Sequence, residues 1–198
     1  MLKSDNFAQL QPMYPLLIQQ FVDDYNLCEG ISIDIGVGPG FLGLEMAKIT
    51  TMKIVFIDIN QDALDQAENT FKSLDLDNEA EFINADVQAL PLEENYADFI
   101  MSRGSIWFWK EPEKGLREIH RILKPGGVAV VGGGLGRYLP ETMRARLQEI
   151  LRQGLIKRKE KRPSLEEFEA LVRKSGLSNY RIMTDGDTSS GKWVEIRK

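Results

Sequence analysis

In the run Ile31-Ser32-Ile33-Asp34-Ile35-Gly36-Val37-Gly38-Pro39-Gly40, a carboxylate and three alternating glycines sit at the end of a short apolar segment. Glycine is needed where main chain turns sharply, and where a ligand must reach backbone N–H groups with no Cβ in the way. A second carboxylate, Asp58, closes the next apolar run, Ile54-Val55-Phe56-Ile57. It lies about twenty residues beyond the glycines, where an acidic side chain can accept hydrogen bonds from ribose hydroxyls. A third, Asp86, follows Ala80-Glu81-Phe82-Ile83-Asn84. Glycines and acids in this order make a site for a nucleotide-like ligand.

Periodicity gives the elements that must position these groups. Ile18, Phe21, Val22 and Tyr25 have helical spacing and predict a helix within 12–26, ahead of the first strand. Leu42, Met46 and Ile49 predict a helix that begins at the glycines, so its free N–H groups and positive dipole end face the ligand. Residues 53–58 read as the second strand, and Leu64, Ala67, Phe71 and Leu74 as the stripe of the next helix. Strands follow near 80–84, at 97–102 and at 127–131, with a helix face at Leu116, Ile119, Ile122 and Leu123. Lys124-Pro125-Gly126-Gly127 should stop that helix, because proline cannot continue it and glycine accepts positive φ at its end. Met143, Leu147, Ile150 and Leu151 mark a further helix, and Ser164-Leu165-Glu166-Glu167 a capping box ahead of Phe168, Leu171 and Val172. The last strands, near 178–184 and 192–197, are too close together for a crossover helix and should form an antiparallel hairpin. The expected fold is α/β, a doubly wound, seven-stranded, mostly parallel sheet with helices on both faces and a final antiparallel strand.

The 198 residues suit one domain, with 42% hydrophobic and 28% charged residues typical of a globular protein in water. A net charge of −5 argues against general affinity for nucleic acid. The single cysteine, Cys28, excludes an intrachain disulfide and a cysteine-based zinc cluster; no metal is expected, and a reducing, cytoplasmic setting fits. Neither a signal segment nor a membrane span is expected from the apolar runs.

Four stations, Asp34-Ile35-Gly36-Val37-Gly38-Pro39-Gly40, Phe56-Ile57-Asp58-Ile59-Asn60, Asn84-Ala85-Asp86-Val87 and His120-Arg121-Ile122-Leu123-Lys124-Pro125-Gly126-Gly127, together resemble the class I S-adenosylmethionine-dependent methyltransferases in order and spacing. The resemblance covers residues 30–135. It implies S-adenosylmethionine as cofactor, S-adenosylhomocysteine as product, and cofactor-binding positions at Asp34, Gly36, Gly38, Gly40, Asp58, Ile59, Asp86, Val87 and Ser102. In that family the acid at Asp86 contacts the exocyclic amine of adenine, and the residue at Val87 donates its N–H to the ring. Ile59 would pack on the adenine face, and Asp34 would order the loop near the amino-acid end. The resemblance further implies one domain over 1–198: a cap helix in 1–29, a cofactor-binding core at 30–135, and C-terminal helices with a hairpin at 136–198. Tyr14, Arg103, Trp107, Trp109, Arg137 and Tyr138 stand where the family builds its acceptor pocket and are expected to face a small-molecule substrate.

The sequence also departs from the family pattern. Family members acting on amide or exocyclic-amine nitrogens often carry an Asn/Asp-Pro-Pro-aromatic motif after the fourth strand; this chain has Ser102-Arg103-Gly104-Ser105-Ile106-Trp107-Phe108-Trp109 there. Those aromatics could line a pocket or serve as core or surface anchors. Gly38-Pro39-Gly40-Phe41-Leu42-Gly43 matches the dinucleotide pattern G-x-G-x-x-G, which keeps an NAD(P)-linked oxidoreductase open, although counting from Gly36 puts Phe41 at the sixth position. A nucleic-acid or protein methyltransferase is compatible with the same stations, and so is a non-catalytic S-adenosylmethionine-binding module. No residue singles out an oxygen, nitrogen, sulfur or carbon acceptor, or a general base: His120 falls on a helix face that packs on the sheet, and Cys28 precedes the first strand. The basic stretch Arg152 to Arg162 reads as a solvated helix end and linker, Gly132 to Gly136 as a candidate hinge, and Gly186 to Lys192 as a hairpin connection that only imitates a phosphate loop.

Overall fold

The computed structural model describes residues 9–186 and 191–198. β1 (Ile31–Ile35), β2 (Lys53–Asp58), β3 (Ala80–Asn84), β4 (Ala97–Arg103) and β5 (Leu123–Gly133) are parallel. β6 (Tyr180–Met183) and β7 (Lys192–Arg197) complete a seven-stranded sheet in the order β3-β2-β1-β4-β5-β7-β6. β7 pairs antiparallel with both β5 and β6, so the closing hairpin inserts its second strand beside β5. Chain order reverses between β1 and β4, and in such a sheet the ligand crevice opens beyond the carboxyl ends of the strands at that point. The register sets the strand ends level: Ile35 pairs with Ile57, and Asp58 with Asn84.

Among the described residues, six α-helices cover the two faces: α1 (Tyr14–Tyr25), α2 (Phe41–Ile49), α3 (Gln61–Ser73), α4 (Pro112–Ile122), α5 (Glu141–Arg158) and α6 (Leu165–Lys174). Strand alternation divides the core. Ile54, Phe56, Phe99 and Met101 meet Leu17, Ile18 and Phe21 of α1, Met46 of α2 and Leu64 of α3 on one side. Ile33, Val55, Ile57 and Ile100 meet Leu116 and Ile119 of α4 and Phe168 of α6 on the other. The capping box at α6 is formed: the Ser164 hydroxyl accepts from the Glu167 N–H at 3.1 Å, and Glu167 Oε2 accepts from the Ser164 N–H at 2.6 Å.

Two local expectations are corrected. β5 starts at Leu123, not Gly127, because Leu123 is already extended and pairs with Ala97; a register shift then carries the strand past the Pro-Gly-Gly segment. The glycine run from Gly132 is a packed seam, not a hinge. A Cβ on Gly132 would overlap the Lys192 and Trp193 backbone, one on Gly134 would overlap Asp185, and Leu135 N–H donates to Asp185 Oδ2 at 2.6 Å. The phosphate-loop imitation includes 187–190, which lie outside the described residues.

Gly43 shows how tightly α2 sits on the sheet. A Cβ there would overlap the Phe56 ring, which is stacked on Phe82 at 4.8 Å and edge-on to Phe71 at 6.1 Å. Helix propensity alone would make Gly43→Ala stabilising by about 1 kcal/mol, whereas overpacking a filled core costs about 1–3 kcal/mol. The expected outcome is a lower urea midpoint for the variant. A raised midpoint would mean that the Phe56 ring can move aside.

Candidate functional site

A cavity of about 1090 Å³ opens at the carboxyl ends of the strands and is lined by residues from all three of the predicted strand-tip segments. Gly36 and Gly38 have φ of +71° and +53°, the left-handed region that favours glycine. The Gly36 N–H donates to the Ile57 carbonyl at 2.8 Å, and the Gly38 N–H to Asp58 Oδ2 at 3.1 Å. Asp58 Oδ1 accepts from the Asn60 N–H at 2.9 Å, and the Asn60 side chain in turn caps α3 by accepting from Asp62 N–H. The tip of β2 is therefore tied both to the glycine loop of β1 and to the helix that follows it.

Asp34 is 1% exposed, and its Oδ2 accepts from the Gly43 N–H at 3.0 Å. Gly43 is the third residue of α2, so this bond satisfies one of the N–H groups that a helix start leaves without an intrahelical partner. Burial pushes the Asp34 carboxyl up from the ordinary 3.8 to about 7; the Gly43 N–H opposes this and the Asp58 charge adds to it. Asp86 closes an Asx-type turn: Oδ1 accepts from the Gln88 N–H at 2.9 Å, and the Gln88 amide reaches both carboxylate oxygens at 2.9 and 3.0 Å. Ile59 lines the cavity and is 71% exposed, an unusual position for an isoleucine and one open to a flat ring.

Of the remaining predicted residues, Val87, Tyr14, Arg103, Trp107 and Trp109 line the cavity. Arg103 Nε donates to the Gly134 carbonyl at 2.8 Å, and its guanidinium lies 5.4 Å from the Tyr14 ring centre. Burial raises the Tyr14 pKa, keeping the phenol protonated. Trp107 and Trp109 combine the two roles left open for them. Trp107 packs on Phe168 of α6 at 5.3 Å, and Trp109 covers Gly115 of α4, where a Cβ would overlap it, while both also line the cavity.

Four predicted positions are not brought to the cavity wall. Gly40 (φ +82°) precedes α2 and lets Ala67 of α3 approach. Ser102 is buried and shares a 2.5 Å hydrogen bond with Ser105. Arg137 pairs with Asp24, and the Tyr138 hydroxyl donates to Asp23 at 2.9 Å, so both clasp the loop after β5 to α1. His120 on α4 is also outside the lining.

Sequence reasoning missed Arg158 and Arg162, which it assigned to a solvated linker and which line the cavity. A signal existed. Gln148, Leu151, Leu155 and Arg158 follow at intervals of three and four, one face of α5, and all four line the cavity.

A doubly wound sheet with glycines and carboxylates at the reversal point defines a nucleoside-binding α/β domain. The profile of the family described as "Methyltransferase domain" matches residues 33–131. A crystal structure from Methanococcus maripaludis, provisionally designated an S-adenosyl-L-methionine-dependent methyltransferase, is 32% identical, with a TM-score of 0.82 over 96% of this chain and 87% of that one. The chloroplastic 2-methyl-6-phytyl-1,4-hydroquinone methyltransferase of Arabidopsis thaliana is 36% identical over 51% of this chain and 29% of its own length. A ubiquinone/menaquinone biosynthesis C-methyltransferase of Escherichia fergusonii is 30% identical over 52% of this chain and 44% of its own. The chain belongs to the class I S-adenosylmethionine-dependent methyltransferase family. It spans less than half the length of these two curated relatives.

The buried carboxyl at Asp34 gives a pH test. An unfolded chain releases this proton near pH 3.8, whereas the folded one holds it to about 7. Across that window the native state binds more protons, so this group's contribution to stability falls as pH rises. Asp34→Asn removes the titration and can still accept from Gly43. Thermal unfolding should favour the variant over the parent increasingly from pH 4 to about pH 7, and level off above that. A difference that does not vary with pH would show that Asp34 ionises as it does in water.

Proposed function

We propose that this domain transfers a methyl group from S-adenosylmethionine to a small-molecule acceptor. One observation carries the reading: Asp34, Asp58 and Asp86 line one cavity together with a loop whose backbone is bared by glycine. The wall fits the cofactor on two counts. Each Asp58 oxygen accepts one backbone N–H, which leaves acceptor capacity for ribose hydroxyls, since a carboxylate has about four lone-pair sites. At Gly104 (φ +81°), which lines the cavity, a Cβ would stand in open space, so its absence leaves room for a bound group.

On this reading Asp58 holds the ribose and Ile59 lies against the purine. Asp86, held in place by Gln88, and the Val87 N–H meet the purine edge. Gly36 and Gly38 allow close approach of the main chain, and Asp34 sits at the amino-acid end. Gly40 and Ser102 serve at one remove, Gly40 by seating α2 on α3 and Ser102 through Ser105, which lines the cavity. When bound, the sulfonium cofactor supplies the activated methyl, so the chain's own work is to align the acceptor and exclude water. Tyr14, Trp107 and Trp109 build the apolar wall for this. Tyr14 is no base, since burial keeps its phenol protonated.

A small acceptor is supported by the net charge of −5 and by relatives whose names specify hydroquinone and quinone-pathway substrates. The division into cap helix, cofactor core and C-terminal region belongs to the same proposal. So does a cytoplasmic setting, for which the exposed, unpaired Cys28 is the support. Among the described residues no helix is long and apolar enough to cross a membrane.

Calorimetric titration tests the reading. S-adenosylhomocysteine should bind and reduced nicotinamide cofactors should not; the reverse result would overturn it. Asp58→Ala, folded by circular dichroism, should lose about 1.5–3 kcal/mol of S-adenosylhomocysteine affinity, as befits a charge-assisted hydrogen bond. Unchanged affinity would remove Asp58 from the ribose site.

A further inference from the structure

The cavity wall changes sign along the sheet. Asp34, Asp58 and Asp86 belong to the β1–β3 half, whereas Arg103 ends β4, Arg158 ends α5 and Arg162 lies in the connection to α6. Asp185 lines the second half but already accepts from Leu135 N–H at 2.6 Å and Trp193 Nε1 at 2.7 Å.

The three guanidinium groups are poorly compensated. Glu160 is the carboxylate that Arg158 and Arg162 share, at 3.0 and 3.7 Å. The Arg158 contact lacks hydrogen-bond direction, which leaves its buried Nε–H without a hydrogen-bond partner. Arg103 is bonded to two neutral oxygens, the Gly134 carbonyl and the Tyr14 hydroxyl. Burial lowers the Arg162 pKa, Glu160 opposes that, and repulsion from Arg158 and Arg103 lowers it further. Its guanidinium lies 5.5 Å from the ring centres of both Trp107 and Phe108. A guanidinium over an aromatic face keeps its in-plane N–H fork available for a planar or tetrahedral oxyanion. The same cavity wall also carries the apolar side chains of Phe41, Leu151 and Leu155.

We infer that the methyl acceptor carries a carboxylate or phosphate on an apolar, ring-bearing body, with the oxyanion held by Arg158 and Arg162 and with Arg103 beside them. The inference rests on the methyltransferase reading for what the bound molecule undergoes, but the anion site stands on its own residues. Poorly compensated cations are costly to gather in a partly buried wall, and an oxyanion taking bidentate hydrogen bonds from arginine offsets that cost. One rival source of the same chemistry is the carboxylate at the cofactor's own amino-acid end.

The experiment is a calorimetric titration of the S-adenosylhomocysteine-saturated protein with phenyl phosphate, benzoate and neutral benzyl alcohol. At least one anion should bind about tenfold more tightly than the alcohol, and Arg158→Gln and Arg162→Gln should each remove about that factor. S-adenosylhomocysteine affinity should be unchanged in both variants, which also shows that they are folded. The stronger of the two anions identifies carboxylate or phosphate. Equal binding of alcohol and anions, or no anion binding at millimolar concentration, overturns the inference. So does a loss of S-adenosylhomocysteine affinity with the anion preference intact, which would give the arginines to the cofactor. Failure of the parent protein to bind S-adenosylhomocysteine sinks the methyltransferase reading instead, and the same titration on the free protein then decides the anion site.

Discussion

The Asp34 carboxylate and the Gly43 N–H, 3.0 Å apart, fix how the chain leaves the first strand. Without that bond the buried acid would have no partner on α2, and the Gly43 N–H, itself buried in the first turn of the helix, would lose its acceptor. With it, α2 leaves at one angle, Gly43 packs on the Phe56 ring, and the Gly38 N–H meets Asp58. An acid of raised pKa is the cost of this arrangement, because the carboxyl is removed from water to reach the helix. The site is thus assembled by backbone N–H groups that the fold leaves over, and the carboxylates of β1 and β2 gather them.

Strand boundaries at 53–58, 80–84 and 192–197 were legible because each strand is a short run of apolar or alternating residues bounded by polar or turn residues. The start of β5 was not, since Pro125 and Gly126 read as a stop while tertiary pairing of Leu123 with Ala97 overrides them. At the site, acids and glycines could be read from type and spacing alone. The arginines could not be read with equal ease. Arg158 is charged in a charged stretch, which masks its place on the α5 face of Gln148, Leu151 and Leu155. Arg137 and Tyr138 failed in the opposite sense: their place after β5 suggested the pocket, but Asp23 and Asp24 on α1 offered nearer partners.

Buried ring packing supports the same division of labour on the far wall. Trp107, in a 3-10 turn over Ile106–Phe108, and Trp109, which caps it, are backed by Phe168 of α6 and Gly115 of α4. This wall is backed by α4 and α6, elements that contribute no residue of their own to the cavity lining.

The clasp between α1 and the loop after β5 separates two physical quantities that are easily confused. Leu17, Ile18 and Phe21 are fully or nearly fully buried, and burial of that kind is strong but has no preferred direction. Asp23 and Asp24, near the surface, add little free energy, yet their bonds to Tyr138 and Arg137 are directional. Apolar burial therefore seats this helix against the sheet, and the two surface bonds only tie it to the loop after β5.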